Sequence, residues 1–307
     1  GININTLQVT VNGTLVSVST IGSQFAYSVT YDPTNDFSYG TTISTMISVR
    51  DISGNILSAS FDFKTNEPPT ITLLAPTAND TIVPVETDLT FKITDNTQVV
   101  TSSLQVLING LPVIINGSPT STYQVLYTQI TDGYLVSINH QLPFSFNSVI
   151  PVSIFIQDEL GDITSINYSF QTDNVPGISS LLPIASATNI PVETDITFTI
   201  TDNALVVTSS LQVTVNNILW IQNGAAVNGT SYNIAYQAIS GGYRVSVDPL
   251  LPFTYESLNT IAISVKDDHP YTTTLNYSFS TKPALTIYVS PTGNNTLGDG
   301  TIVKPYQ

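Results

Sequence analysis

The chain has 307 residues, and its 7 Lys and Arg against 22 Asp and Glu give a formal charge of −15 at pH 7 and a pI near 4.1. Such a surface repels phosphate, which argues against nucleic-acid binding and against attraction to anionic lipid. There is no cysteine, so disulfides, thiolate nucleophiles and zinc–thiolate sites are excluded.

Only 9% of residues are charged and 41% are hydrophobic, which leaves the polar surface to Thr, Ser, Asn and Gln, a recipe commoner outside cells than in the cytosol. The length suggests two or three domains. Apolar runs such as Val149 to Ile156 are short and broken by Pro151 and Ser153, so no transmembrane helix and no membrane insertion are expected. No basic segment followed by an apolar one opens the sequence, so any secretion signal would lie outside it.

Taken in chain order, residues 1–67 read as a partial repeat. Leu7-Gln8-Val9 and Ile47 to Asn55 have counterparts further on, but the two opening strands of the later copies are missing. Residues 68–174 read as a complete unit. Period-two alternation of β-branched and aromatic residues predicts strands over 69–74, 89–94, 104–108, 123–127, 134–138, 152–157 and 164–171. Residues 175–283 repeat this unit: the segment Pro84 to Val106 recurs at Pro191 to Val213 with 19 of 23 residues identical. After a two-residue insertion the match runs on to Tyr277-Ser278-Phe279. Six to eight short strands in each repeat, with Asn-Gly, Asp-Gly and Pro turns between them, predict an all-β chain of tandem Ig-like Greek-key β-sandwiches in an elongated array. Residues 284–307 open a further β module.

The turn residues resemble those of bacterial and phage Ig-like domains. Val11-Asn12-Gly13 and Ile108-Asn109-Gly110 match the V-N-G turn of that group, and Asp51 to Asn55 with Asp158 to Asp162 match its D-x-x-G-N loop. The third repeat departs, with Asn216-Asn217 and Asp267-Asp268-His269-Pro270, so different turns are expected there. Residues Ile287 to Asn294 and Gly298 to Tyr306 look like the opening of right-handed β-helix proteins, which include phage tailspikes and pectate-lyase-like enzymes. With the incomplete first repeat, this suggests an internal segment of a longer polypeptide.

In a sandwich, the loop after the second strand and the loop between the last two strands share one pole. Stacking end to end would gather Glu86, Asp88, Asp173, Asn174, Asp202, Asn203, Asp267 and Asp268 where the second and third repeats meet. Six to eight oxygens suit calcium. Thr172 to Pro176 is also similar to part of the cadherin calcium linker. The other reading is that Asp51, Asp95, Asp158 and Asp202 bind their own backbone in Asx turns. The first junction offers Glu67, Asp95 and Asp158, and the third has Lys282.

Trp220 stands where the second repeat has Val113, either to fill a gap or to mark a contact surface; with Tyr123, Tyr232 and Tyr271 it could form a sugar platform. His140 and His269 have no histidine counterpart in the sister repeat, and no catalytic residue is expected. The expected role is a spacer or stalk in an extracellular or virion fibre, such as a phage tail fibre, tailspike or capsid fibre. Its partners would be other fibre or virion subunits, a host or cell-surface glycan, or further copies of itself. The alternatives are a bacterial adhesin with calcium-stiffened repeats and a carbohydrate-binding accessory of a polysaccharide-degrading β-helix.

Overall fold

The computed structural model describes residues 1–120, 122–227 and 232–307. Its chain divides into two compact units. One comprises residues 1–80, 86–143 and 149–170; the other comprises 81–85, 144–148 and 171–307. No helix among the described residues is long and apolar enough to cross a membrane.

The first repeat holds β1 (Ile2–Val11), β2 (Thr14–Val16), β3 (Ser19–Ser23), β4 (Ala26–Thr30), β5 (Thr42–Asp51) and β6 (Ile56–Lys64). The second holds β7 (Thr70–Ala75), β8 (Leu89–Thr94), β9 (Gln105–Ile108), β10 (Leu111–Ile115), β11 (Ser118–Pro119), β12 (Tyr123–Ile130), β13 (Gly133–His140), β14 (Val149–Gln157) and β15 (Ile163–Gln171). The third holds β16 (Gly177–Leu182), β17 (Ile196–Thr201), β18 (Val206–Val215), β19 (Ile218–Gln222), β20 (Ala225–Ala226), β21 (Tyr232–Ile239), β22 (Gly242–Pro249), β23 (Leu258–Asp267) and β24 (Thr272–Ser280).

Alternation decides which face each strand buries. In β8, Leu89, Phe91 and Ile93 are buried while Lys92 points outward, because successive side chains leave opposite faces of a pleated strand. In the second repeat the sheets run β12-β13-β8-β7 and β11-β10-β9-β14-β15; in the third they run β16-β17-β22-β21 and β20-β19-β18-β23-β24. The chain changes sheet between β8 and β9 and again between β13 and β14, which makes each repeat a Greek-key sandwich. The third core gathers Phe198, Leu211, Val213, Val245, Ile263 and Phe279. The segments before β8 and β17 also run beside the last strand, through parallel bridges Val83↔Thr172 and Ile190↔Thr281.

The short strand β10 escapes the sequence pattern for a physical reason. Between β9 and β10 the register slips from Pro112↔Leu107 to Ile114↔Val106, so Val113 is an extra residue at a bulge and both Val113 and Ile114 point inward. Strict alternation is lost there. The turn before β10 is as the sequence implied, with Asn109 and Gly110 both left-handed (φ 52° and 73°), as a two-residue hairpin requires. The third repeat differs from expectation: Asn216 and Asn217 adopt φ 52° and 63° and make the same turn, because asparagine tolerates the left-handed region.

The first repeat comprises the sheet β2-β1-β5-β6 and the two-stranded hairpin β3-β4. Residues 284–307 are irregular segments and turns with no strand, joined by a single parallel bridge between Val289 and Tyr306.

Candidate inter-repeat junctions

The acidic residues are placed by turn chemistry first. One carboxylate oxygen of each loop aspartate accepts backbone N–H groups two and four residues on: Asp51 from Ser53 and Asn55, Asp158 from Leu160 and Asp162, and Asp267 from His269 and Tyr271, all at 2.8–2.9 Å. Asp95 and Asp202 accept the N–H groups of Thr97 and Ala204 at 2.6 and 2.7 Å. These are Asx turns, and they also explain why the third repeat keeps the geometry of D-x-x-G-N without its glycine. The second oxygen is left over. In Asp95, Asp202 and Asp267 the Oδ2 atom is buried with no hydrogen-bond partner among the described residues.

Within the second unit Asp202 and Asp267 lie within electrostatic reach of Asp173 in the linker. Asp173 is fully buried, Asp267 is 2% exposed, and the charges of Asp173 and Asp267 act on Asp202. Burial pushes both Asp202 and Asp267 above the usual carboxylate range, and the charge of Asp173 pushes the same way. The Asn174 N–H donates to Asn203 Oδ1 at 3.2 Å, which ties the linker to the loop after β17. Asp268 turns to its own neighbours, accepting the Leu205 N–H at 3.3 Å. Tyr271 donates no charge but closes the edge: the Val85 N–H donates to its hydroxyl at 2.9 Å, and Phe146 meets its ring edge-on at 4.8 Å. Of the other two acidic residues read from the sequence, Asp88 in the first unit accepts the Asn139 amide at 3.0 Å, and Glu86 is exposed beside it in the chain.

His269 lies 2.5 Å from Asp173 through Nδ1. Burial lowers its pKa, but the hydrogen bond and charge of Asp173, with the charges of Asp268 and Asp267, outweigh burial and leave it raised above 6.5. A raised histidine stabilises the fold fully below its unfolded value, and that contribution disappears as pH rises through the folded value. The raised carboxyls of Asp202 and Asp267 act in the same direction at lower pH, since their charged forms are the disfavoured ones. In the absence of divalent cation, the thermal midpoint of the second unit should therefore fall as pH is raised from about 5 to about 8. His269→Gln should flatten the upper part of that profile, leaving the lower part; an unchanged profile would refute the assignment.

The first unit contains the same construction one repeat earlier. Asn66, at the position of Asp173, donates through Nδ2 to Asp158 at 2.5 Å and Asp162 at 2.8 Å. The Tyr39 hydroxyl donates to Asp162 at 2.9 Å, and this hydrogen bond raises the Tyr39 pKa. Asn66 Oδ1 and Asp95 Oδ2 are buried without hydrogen-bond partners among the described residues, and Asp95 is 7% exposed. The Glu67 N–H donates to Asn96 Oδ1 at 3.2 Å, as Asn174 does to Asn203. Among the described residues no group of three or more His, Cys, Asp or Glu is arranged to hold a metal ion unaided. Any cation here would also need oxygens from Asn66 and from backbone carbonyls, both ordinary calcium ligands.

A second repeated device was not read from the sequence. Thr65, Thr172 and Thr281 close the last strand of each repeat. The Thr172 hydroxyl donates to Ser145 O at 2.7 Å and accepts the Ser148 N–H at 2.8 Å. Thr65 does the same with Ser38 and Thr41, and Thr281 with Thr254 and Ser257. The signal was the spacing of these threonines, which follows the repeat.

Trp220 occupies the bulge that Val113 occupies in the second repeat, between the pairs Val213↔Ile221 and Thr214↔Leu219. Its ring stacks on Tyr232 at 4.9 Å and on Phe253 at 6.0 Å, nearly parallel to both, and packs against the third core. The gap-filling reading accounts for it. His140 is likewise structural in its contacts, with its two nitrogens 2.7 and 2.8 Å from the carbonyl oxygens of Leu142 and Thr87.

The fold defines a tandem Ig-like β-sandwich protein. No protein-family model matches the chain, and no curated protein matches it. Among solved structures, Sidekick-1 immunoglobulin domains 1–5 are similar at 13% identity and a TM-score of 0.36, over 92% of this chain and 53% of that one. A titin fragment, Titin-A168169, is similar at 12% identity and a TM-score of 0.32, over 70% of this chain and 99% of the other. The fibronectin(III)-like modules of Clostridium thermocellum CbhA give 11% identity and a TM-score of 0.24, over 70% and 95%. Likeness at this level carries no function across.

Proposed function

We propose that the chain is a non-enzymatic spacer in an extracellular or virion fibre, a phage tail fibre, tailspike or capsid fibre, with its repeats braced at their junctions by calcium. The observation that carries this reading is the repetition of one junction. Asn66, Asp95 and Asp158 in the first unit and Asp173, Asp202 and Asp267 in the second stand at equivalent places, with buried carboxylate or amide oxygens left without hydrogen-bond partners among the described residues in both. A cation would satisfy those oxygens and offset the cost of burying like charges. It would supply charge neutralisation and stiffness, and nothing more. Lys282, at the position of Asp173 one repeat on, would leave the third junction without one. The partners that fit are other fibre subunits.

Isothermal titration with calcium should reveal two sites. Asp95→Ala should remove the first and Asp267→Ala the second, each leaving the other intact. A chain that binds no calcium would reduce the carboxylates to turn chemistry and leave a passive spacer. Hydrolysis of a polysaccharide by the purified chain would overturn the non-enzymatic reading.

A further inference from the structure

The outer face of the sheet β16-β17-β22-β21 in the third repeat carries a cleft of about 670 Å³. The pleat builds it in rows, because every second side chain of neighbouring strands leaves the same face. Thr197 of β17 stands opposite Ser246 of β22, which stands opposite Ala235 of β21. In the next outward row Arg244 lies between Thr199 and Gln237. At the opposite end, just before β17, Glu193 and Asp195 line the cleft. It therefore has hydroxyls in the middle, a guanidinium and an amide at one end, and carboxylates at the other.

The sister repeat lacks this chemistry. In the second repeat the places of Arg244 and Ala235 belong to Leu135 and Leu126, so one exchange charges the face and the other opens it. There Asp88 accepts the Asn139 amide at 3.0 Å, whereas in the third repeat Asp248 takes the place of Asn139. Partial burial, and then the charge of Asp248, raise the pKa of Asp195. Two further groups are left over. The guanidinium of Arg244, one of only two arginines in the chain, makes no hydrogen bond or ion pair among the described residues, although carboxylates line the same cleft. Thr197 is only 8% exposed, and its hydroxyl, which lines the cleft, has no hydrogen-bond partner among the described residues. A buried hydroxyl without a partner carries a free-energy cost that a bound hydroxyl would offset.

We propose that this cleft of the third repeat binds a neutral oligosaccharide. Hydrogen-bond chemistry selects that class, since a guanidinium only donates and an ionised carboxylate only accepts. An anionic ligand could accept from Arg244 but would lie against Glu193 and Asp195. An ammonium could donate to those carboxylates but would give Arg244 nothing. Sugar hydroxyls donate and accept at once, so a run of them meets both ends and the Thr197 and Ser246 hydroxyls between them. Leu182 and Tyr236 add apolar surface for the C–H faces of sugar rings, and the Tyr236 hydroxyl donates to Gly224 O at 2.7 Å, which fixes its ring. Sugar binding here would add a contact role to the spacer and would not depend on cations at the junctions.

The test applies the labelled 307-residue chain, in the presence of chelator, to an array of neutral oligosaccharides printed beside glucosamine oligomers and polyuronates. Binding should fall on neutral glycans. Arg244→Leu and Ala235→Leu install the residues that the second repeat carries at these places, so both variants should keep the thermal midpoint of the unaltered chain. Each should weaken binding to the best neutral glycan about tenfold or more by titration calorimetry, the first by removing charged donors and the second by refilling the cleft. A chain that binds no neutral glycan would overturn the proposal. So would binding confined to glucosamine oligomers or to polyuronates. Neutral-glycan binding that both folded variants retain in full would place the sugar elsewhere and overturn it as well.

Discussion

Phe198→Ala is expected to unfold the third sandwich at ambient temperature or bring it close to unfolding. Phe198 sits at the centre of β17, fully buried among Leu211, Val213, Val245, Ile263 and Phe279. Truncating it removes the transfer free energy of a phenyl ring and leaves a cavity that a close-packed sandwich cannot collapse around, a loss of about 3–5 kcal/mol. A single domain of this size holds only about 5–15 kcal/mol in total. Phe198→Leu, which keeps most of the volume, should cost far less. Denaturant unfolding followed by the fluorescence of Trp220, which packs on the same core, reads this domain alone among the three. A midpoint that barely moves would mean that β17 is not the centre of the core.

The second large effect is expected from a smaller change. Thr172→Val keeps shape and volume but removes a fully buried hydroxyl, so that the Ser148 N–H and the Ser145 carbonyl lose the partner that ties them to the last strand. Each stranded group costs about 1–3 kcal/mol, and the pair roughly 2–4 kcal/mol. Thr172→Ser should recover most of it, which separates the hydrogen bonds from packing. The same exchange at Thr281 should destabilise the third repeat to a similar degree, and at Thr65 the first. If valine is tolerated at Thr172, the tie between the last strand and the loop after β13 contributes little.

Most strands were legible because alternation is a direct statement about which face is buried. The predicted 89–94 coincides with β8, and the other predicted strands of the second repeat differ from the observed ones by a few residues at their ends. β10 was not legible: a bulge turns two consecutive residues, Val113 and Ile114, inward and erases the period. Of the two readings of Trp220, a gap filler or a contact surface, the packing fits the first, but its stacking partners Tyr232 and Phe253 lie on elements distant in sequence and could not be named. The acidic residues were legible as a group and not one by one. Turn chemistry and the gathering of carboxylates were posed as alternatives, but one oxygen of Asp267 serves the turn while the other stays bare. Asp88 and Asp268 find nearer partners in Asn139 and the Leu205 N–H. The threonine ties passed unnoticed because, in a chain rich in threonine, Thr172 has the look of ordinary polar surface.

The parallel bridge between Ile190 and Thr281 gives the third repeat a particular response to load. The N–H of Ile190 donates to Ser280 O and that of Lys282 to Ile190 O, at 3.1 and 2.8 Å, and the two segments run the same way. A tug delivered through Gly177 and taken up beyond Lys282 would slide these segments along one another, straining the crossing hydrogen bonds together instead of opening them one after another. Rupture would then require a concerted failure, so the force this domain withstands would exceed what its equilibrium stability alone suggests.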